Sequence, residues 1–347
     1  MKNNEWPGNA KWAGVARFGG VGDNLIAASV LKPLKQQGYL TEVITSAPQS
    51  VVFENNPHLD CLTVKQKGDI PEPALEWQNW FVGRSHEYAK FANLSHSCEY
   101  SIALFASQTA FWWPPDVRRK LCGRNYLEAV HDILQVPYVF GKLFYPTAEE
   151  RALARKTKRK IGKRCIAWCL SGTRVDKVYP FAPLAIARII KEMGIPVVMV
   201  GAPGIDFTMA KIIMEHVARQ NGSTDGLHLA LSSSVEKPNW PIRRVLTMVQ
   251  HCDLVIAPDT GPAWAAAFEP MPKVMLLSHA SAENITKHWV NTTTLTAAPL
   301  RVPCYPCHRL HDTYSTCTPN ADNTAAACMT DIGVERLLQA VAAAAWR

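Results

Sequence analysis

The chain has 347 residues, 48% apolar and 19% charged, with a formal net charge of +8 and a pI near 9.0. That length and composition exclude a disordered chain and a single small core, and predict two domains of ordinary size. The positive charge suits an anionic partner such as a nucleotide sugar, an acidic membrane face or nucleic acid, and equally a merely basic soluble enzyme.

Residues 1–12 are polar and lack the apolar segment of a secretory signal. No apolar run approaches the ~18–20 residues that a membrane helix needs. The expectation is a cytoplasmic protein in which Cys61, Cys98, Cys122, Cys165, Cys169 and Cys252 are reduced core thiols.

Residues 13–18 read as a first strand, and Gly19-Gly20-Val21-Gly22-Asp23 as a glycine-rich turn. Residues 24–37 read as a helix with Leu25, Ala28, Leu31 and Leu34 on one face, stopped by Gly38. Strands follow at 41–45 and 59–64. The middle is less regular: residues 76–91 are aromatic and polar, Trp112-Trp113-Pro114-Pro115 is a break, and 126–134 look helical. Residues 149–163 are strongly basic and read as a solvated helix or linker. A second series opens with a strand at 165–170, a helix at 181–193 ended by Gly194, and an apolar strand at 196–200. Helices at 207–220 and 240–252, strands at 254–257 and 273–277, and a terminal helix at 331–346 complete it. Strand–turn–helix repetition of this kind implies βαβ units and parallel sheets. The fold class is α/β, as two Rossmann-like domains facing a central cleft, with domains at 1–163 and 164–330 and a C-terminal helix at 331–347.

Four segments carry chemistry. The turn Gly19, Gly20, Gly22, Asp23, Asn24 has neither dinucleotide-fingerprint nor Walker spacing. Asp23 reads either as a helix N-cap or as a general base at a strand end in the cleft. Ser171, Gly172, Thr173 and Lys177 follow the first strand of the second series, as a phosphate cradle or an ordinary surface loop. Gly201 ends the 196–200 strand, in a plain turn or one that passes close to a nucleotide. Asp259, Thr260, Gly261 and Pro262 join the 254–257 strand to a small-residue helix. A strand that feeds a helix through such a turn aims unpaired N–H groups at one spot, which attracts phosphate.

A fifth segment has the spacing Cys304-x2-Cys307-x9-Cys317-x10-Cys328. Four thiolates on one irregular segment suit a structural tetrahedral Zn or Fe, and two disulfides or unrelated thiols are the alternatives.

Taken in order, Gly19 to Leu25, Asn56-Pro57-His58-Leu59-Asp60, Lys177 with Tyr179-Pro180, Val197 to Gly201 and Asp259-Thr260-Gly261-Pro262 resemble glycosyltransferase family 9, the ADP-heptose heptosyltransferases. The resemblance implies a GT-B fold with an N-terminal acceptor-binding and a C-terminal nucleotide-sugar-binding domain. It implies inverting transfer of a heptose-like sugar from a nucleotide-diphosphate donor, an ADP-sugar first, with no cofactor for catalysis. Asp23 matches the family's general base, Lys177 its phosphate-contacting lysine, and Asp259, Thr260 and Gly261 its donor turn. The cysteine segment resembles that of the autotransporter heptosyltransferases, which carry a four-cysteine iron site. Trp264 departs from the family, which has histidine there. The middle region also departs, so the acceptor stays open between a glycan, a protein and modified DNA. Alternatives are a phage-type DNA-modifying glycosyltransferase acting on a hydroxylated base, a non-catalytic nucleotide-sugar-binding protein, or an assembly component; an oligomer is compatible with each.

Overall fold

The computed structural model describes residues 11–66, 68–69, 74–98, 100–171, 174–231, 240–310, 317 and 325–344. The first half runs β1 (Trp12–Ala16), α1 (Val21–Ala28), α2 (Leu31–Gln36), β2 (Leu40–Ser46), β3 (Cys61–Lys65), α3 (Ala74–Ser85), β4 (Lys90–Asn93), α4 (Pro115–Cys122) and α5 (Tyr126–Leu134). Its four strands form one parallel sheet in the order β3-β2-β1-β4.

After α6 (Ala148–Ile161) the second half runs β5 (Ile166–Cys169), α7 (Ala182–Met193), β6 (Val197–Gly201), α8 (Ile205–Asn221), β7 (Leu227–Leu231), α9 (Ile242–Val249) and β8 (Leu254–Ala257). It continues with α10 (Gly261–Ala266), β9 (Lys273–Leu277), α11 (Ala282–Ile285), β10 (Thr292–Thr296), α12 (Ala327–Thr330) and α13 (Val334–Ala343). Its six strands form a parallel sheet in the order β10-β9-β8-β5-β6-β7. No described helix is long and apolar enough to cross a membrane.

The helix expected over 24–37 is broken. Pro33 has no N–H to give and its ring would strike the carbonyl of Ser29, so the chain turns at Ser29-Val30 and restarts as α2. The tight turn is closed by Ser29, whose hydroxyl and N–H both donate to the Ile26 carbonyl, at 2.6 and 3.1 Å. Strands β4, β7 and β10 are additions to the sequence reading. The basic stretch 149–163 is a helix, α6, started by Thr147, which accepts from Glu150 N while the Glu150 carboxylate accepts from Thr147 N.

One hydrophobic core spans both halves. It joins Val15, Leu25, Ile26 and Leu127 of the first to Leu246, Val255, Ala263 and Trp264 of the second. Helix α6 lies against α9, and its Lys158 pairs with Asp253 just before β8. Arg243 of α9 is the polar bolt between the halves. Its guanidinium donates to both Glu150 carboxylate oxygens at 2.7 Å and to the carbonyls of Val51, Glu54 and Tyr145 at 2.7, 3.1 and 3.0 Å. On the far side Asn125 donates to the carbonyls of Glu283 and Asn284, and Asn284 to those of Cys122 and Arg124.

Burial alone would raise the Glu150 carboxyl, but hydrogen bonds from Arg243 and Thr147 outweigh it and hold the group below its ordinary 4.5. Because the folded value is depressed, the pair's contribution is present above pH 4.5 and lost as the pH falls below it. Arg243→Ala leaves the carboxylate and three carbonyls without their donor. It should cost about 3 kcal/mol at neutral pH, as for a broken buried pair. Urea unfolding at neutral pH and again near pH 4 should show the gap between variant and wild type narrowing on acidification.

Candidate functional site

Both halves present strand-to-helix turns at the carboxyl edges of their sheets, where open α/β folds bind ligands. The turn after β1 and the turn after β8 meet. A Cβ placed on Gly261 would lie 2.6 Å from Val21 Cγ1 and 3.1 Å from Gly22 N. One placed on Gly22 would lie 3.2 Å from Trp264 and 3.5 Å from Gly261 N. These two glycines are therefore required by the approach of α1 to α10.

Asp23, one third exposed, lies in the first turn of α1, three residues past the N-cap Gly20. One carboxylate oxygen accepts from Gly20 N at 2.6 Å, which caps α1, and the other pairs with Arg17 at 2.9 Å. Gly19 adopts φ +140°, and a side chain there would collide with that carboxylate. Arg17 is buried and also donates to the Leu94 carbonyl beyond β4. Asn24 points inward, donating to the Gly20 carbonyl at 2.9 Å and accepting from Thr45 at 2.7 Å. It pins the turn rather than facing a ligand.

In the second half, Lys177 donates to the Asp259 carbonyl at 2.6 Å and pairs with its carboxylate at 3.0 Å. Trp264 takes the other Asp259 oxygen at 2.8 Å through its indole N–H and packs edge-on against Trp289. Burial pushes the Asp259 carboxyl up, but the charge of Lys177 and the hydrogen bonds from Lys177 and Trp264 hold the group below its usual range. Pro262 occupies the first turn of α10, where no N–H is needed. The Thr260 hydroxyl lies beside the buried Cys169 thiol.

Beside this pair stands a second one. Arg174 Nε donates to Asp176 Oδ1 at 2.8 Å, and Asp176 Oδ2 lies 3.2 Å from His279 Nδ1. Ser278 Oγ is 3.0 Å from the same nitrogen. Burial would raise the Asp176 carboxyl, yet the hydrogen bond from His279 and the adjoining Arg174 guanidinium hold it well below the carboxylate range.

One expected donor contact, Ser171, is engaged elsewhere. Ser171 is fully buried and its hydroxyl donates to Asp206, whose other oxygen accepts from Ala202 N at 2.8 Å, so it is not offered to the cleft. Gly201 is glycine because a Cβ there would lie 2.6 Å from that of Asp206. Gly172 and Thr173 lie outside the described residues.

The cysteine segment gathers its thiols. Cys328 is pushed up, first by burial and then by the charges of Cys317, Cys307 and Cys304. Cys304 is exposed, Cys307 and Cys317 are half-buried, and among the described residues no three ligands close on one point. Tyr305 donates to the Ala280 carbonyl, and His308 N to the His279 carbonyl, both at 2.9 Å.

Solved structures share this architecture over nearly the whole chain. A glycosyl transferase family 9 structure from Veillonella parvula has a TM-score of 0.66 at 14% identity, covering 96% of each chain. The chain has the GT-B fold. ADP-heptose LPS heptosyltransferase II of E. coli has a TM-score of 0.62 at 14% identity, over 96% of this chain and 98% of its own. The iron-containing, dodecameric heptosyltransferase TibC, in complex with ADP-D-beta-D-heptose, has 0.57 at 11%, over 96% of this chain and 76% of its own. No protein-family model and no curated protein sequence matches the chain.

Sequence reasoning missed Arg17, Arg174, Asp176 and His279. A signal was present: polar residues just past a strand end, as His279 is past β9, face the ligand edge of such sheets. Gly261→Ala forces a methyl into the α1–α10 contact. It should cost about 1–3 kcal/mol, as overpacking does. Thermal unfolding checks this, with Gly222→Ala as a control at a left-handed helix end where only the φ of +81° opposes a side chain.

Proposed function

We propose that this protein is an inverting glycosyltransferase that moves a heptose-like sugar from a nucleotide-diphosphate donor, an ADP-sugar first, to an acceptor hydroxyl. The observation that carries the reading is the contact of the two turns. It sets Asp23, a carboxylate at the carboxyl edge of the first sheet, next to the Lys177–Asp259 turn of the second. The shared fold supports the reaction class.

Asp23 takes the proton of the acceptor hydroxyl as its oxygen attacks the anomeric carbon from the face opposite the nucleotide. The bond to the diphosphate breaks through an oxocarbenium-like transition state. Arg17 orients Asp23 through their ion pair. Lys177 leaves Asp259 to meet the diphosphate, which gains negative charge as it departs. Asp259, Thr260, Gly261 and Pro262 shape the donor turn, with Gly201 at its flank. No cofactor takes part in the transfer.

Cys304, Cys307, Cys317 and Cys328 would hold a structural Zn or Fe. Burial first, and the neighbouring cysteines after it, disfavour the Cys328 thiolate, and a bound divalent cation would offset that cost. The acceptor would meet the 94–124 region, which leaves β4 beside Arg17 and exposes Phe105 and Trp112 near the basic α4. Aromatic faces among cations suit sugar rings and also suit the modified-DNA alternative. Binding to duplex DNA that weakens steeply with salt would favour the latter.

Asp23→Asn should lower transfer by at least about a hundredfold while nucleotide affinity is kept, since general-base catalysis alone contributes about 10²–10⁴-fold. Turnover near wild type in a nucleotide-release assay rejects Asp23 as the base. Lys177→Ala should weaken nucleotide-diphosphate binding about tenfold or more by calorimetry. Elemental analysis of purified protein should find about one Zn or Fe per chain; folded protein free of metal rejects the cysteine site.

A further inference from the structure

Three described cations flank the cleft, and each is already balanced by a carboxylate: Arg17 by Asp23, Lys177 by Asp259 and Arg174 by Asp176. A nucleoside diphosphate brings about two negative charges into this balanced, partly dry site. Charge buried without compensation is costly, so a neighbouring group that can gain a proton will do so.

His279 is placed to be that group. It follows β9, the strand beside β8, and its side chain is 11% exposed. Asp176, an acceptor only, requires the proton on Nδ1, which leaves Nε2 as the second functional nitrogen. The groups around the ring set its state without ligand. Burial and Lys177 disfavour the cation, while Asp176 and Asp259 favour it. The balance lies below the ordinary 6.5, so His279 is neutral at physiological pH. His308 is held at about 4 by burial and stays neutral.

We propose that His279 anchors the donor's distal phosphate by taking up a proton when the nucleotide binds, with Nδ1–H on Asp176 and Nε2–H on a phosphate oxygen. Asp176, itself oriented by Arg174, is the positioning residue of this anchor. The inference rests on the donor-site reading of Lys177 and Asp259. It adds that this site selects diphosphates over monophosphates through a titrating group.

The test is calorimetric titration of the full chain with ADP and with AMP, at about pH 7.5 in two buffers of different ionisation enthalpy. Wild type should bind ADP about tenfold or more tighter than AMP, and take up about one more proton with ADP than with AMP. His279→Asn keeps a donor for Asp176 but has nothing at the Nε2 position. It should lose the extra proton and most of the ADP preference with AMP affinity unchanged. His279→Gln, a neutral donor reaching toward the Nε2 position, should regain part of the ADP preference without the proton, and it serves alone if the asparagine variant does not fold. Unchanged proton uptake and an unchanged ADP-to-AMP ratio in the variants overturn the inference while the donor site stands. If wild type binds none of ADP, UDP and GDP, the donor-site reading fails and the inference falls with it.

Discussion

The first turns of α1 and α10 touch through Gly22 and Gly261, and each helix continues from the carboxyl edge of a different sheet. That close approach determines what else the structure can do. It brings the Asp23 carboxylate and the Lys177–Asp259 pair to one seam. It also lets a single core run from Leu25 and Ile26 through Ala263 and Trp264. Trp264, large and buried, fills the volume behind the glycines and ties its indole N–H to Asp259. Packing and site are therefore the same contact. Arg243 and the Asn125–Asn284 exchange hold it from two sides.

Charge in the cleft follows a second constraint. Partly buried cations are tolerated because each has a carboxylate in hydrogen-bond reach, and the pairs sit side by side at the strand ends. A resting site balanced in this way must re-pair when an anionic ligand enters. Lys177, held by one carbonyl and one carboxylate, has a flexible stem that can turn from Asp259 to a phosphate. His279 can change its charge where the others cannot.

Periodicity revealed the elements that are long or bounded by glycine: β1, β2, β5, β6, β8, β9 and helices α7, α8 and α9. It missed β7 and β10, edge strands that are only partly buried and carry His228 or a run of threonines in place of an apolar stretch. It also missed β4, hidden behind the aromatic segment around α3, and ran α1 into α2 through a proline whose penalty acts four residues upstream. At the site, residue type exposed Asp23, Lys177 and Asp259, because a charged residue in a glycine turn at a strand end has few other uses. Ser171 and Asn24 looked equally suitable, but each hydroxyl or amide is taken by a neighbour distant in sequence, Asp206 or Thr45. The spacing of the four cysteines was legible, but among the described residues no three ligands close on one point.

The order of strands, turns and helices, and with it the doubly built α/β architecture, was a property of the sequence by itself. Local hydrophobic period and glycine stops act over a few residues, and the chain order of such units leaves few topologies open. The identity of the turn residues likewise stood in the sequence. Which partner each of those residues takes was decided only by tertiary structure, because ion pairs and helix contacts join positions tens to hundreds of residues apart. Arg17 reaches Asp23 from inside the turn, but Lys177 meets Asp259 across 82 residues. Asp176 meets His279 through the pairing of strands rather than through any spacing along the chain. Gly22 and Gly261, 239 residues apart in the chain, stand against each other where α1 meets α10.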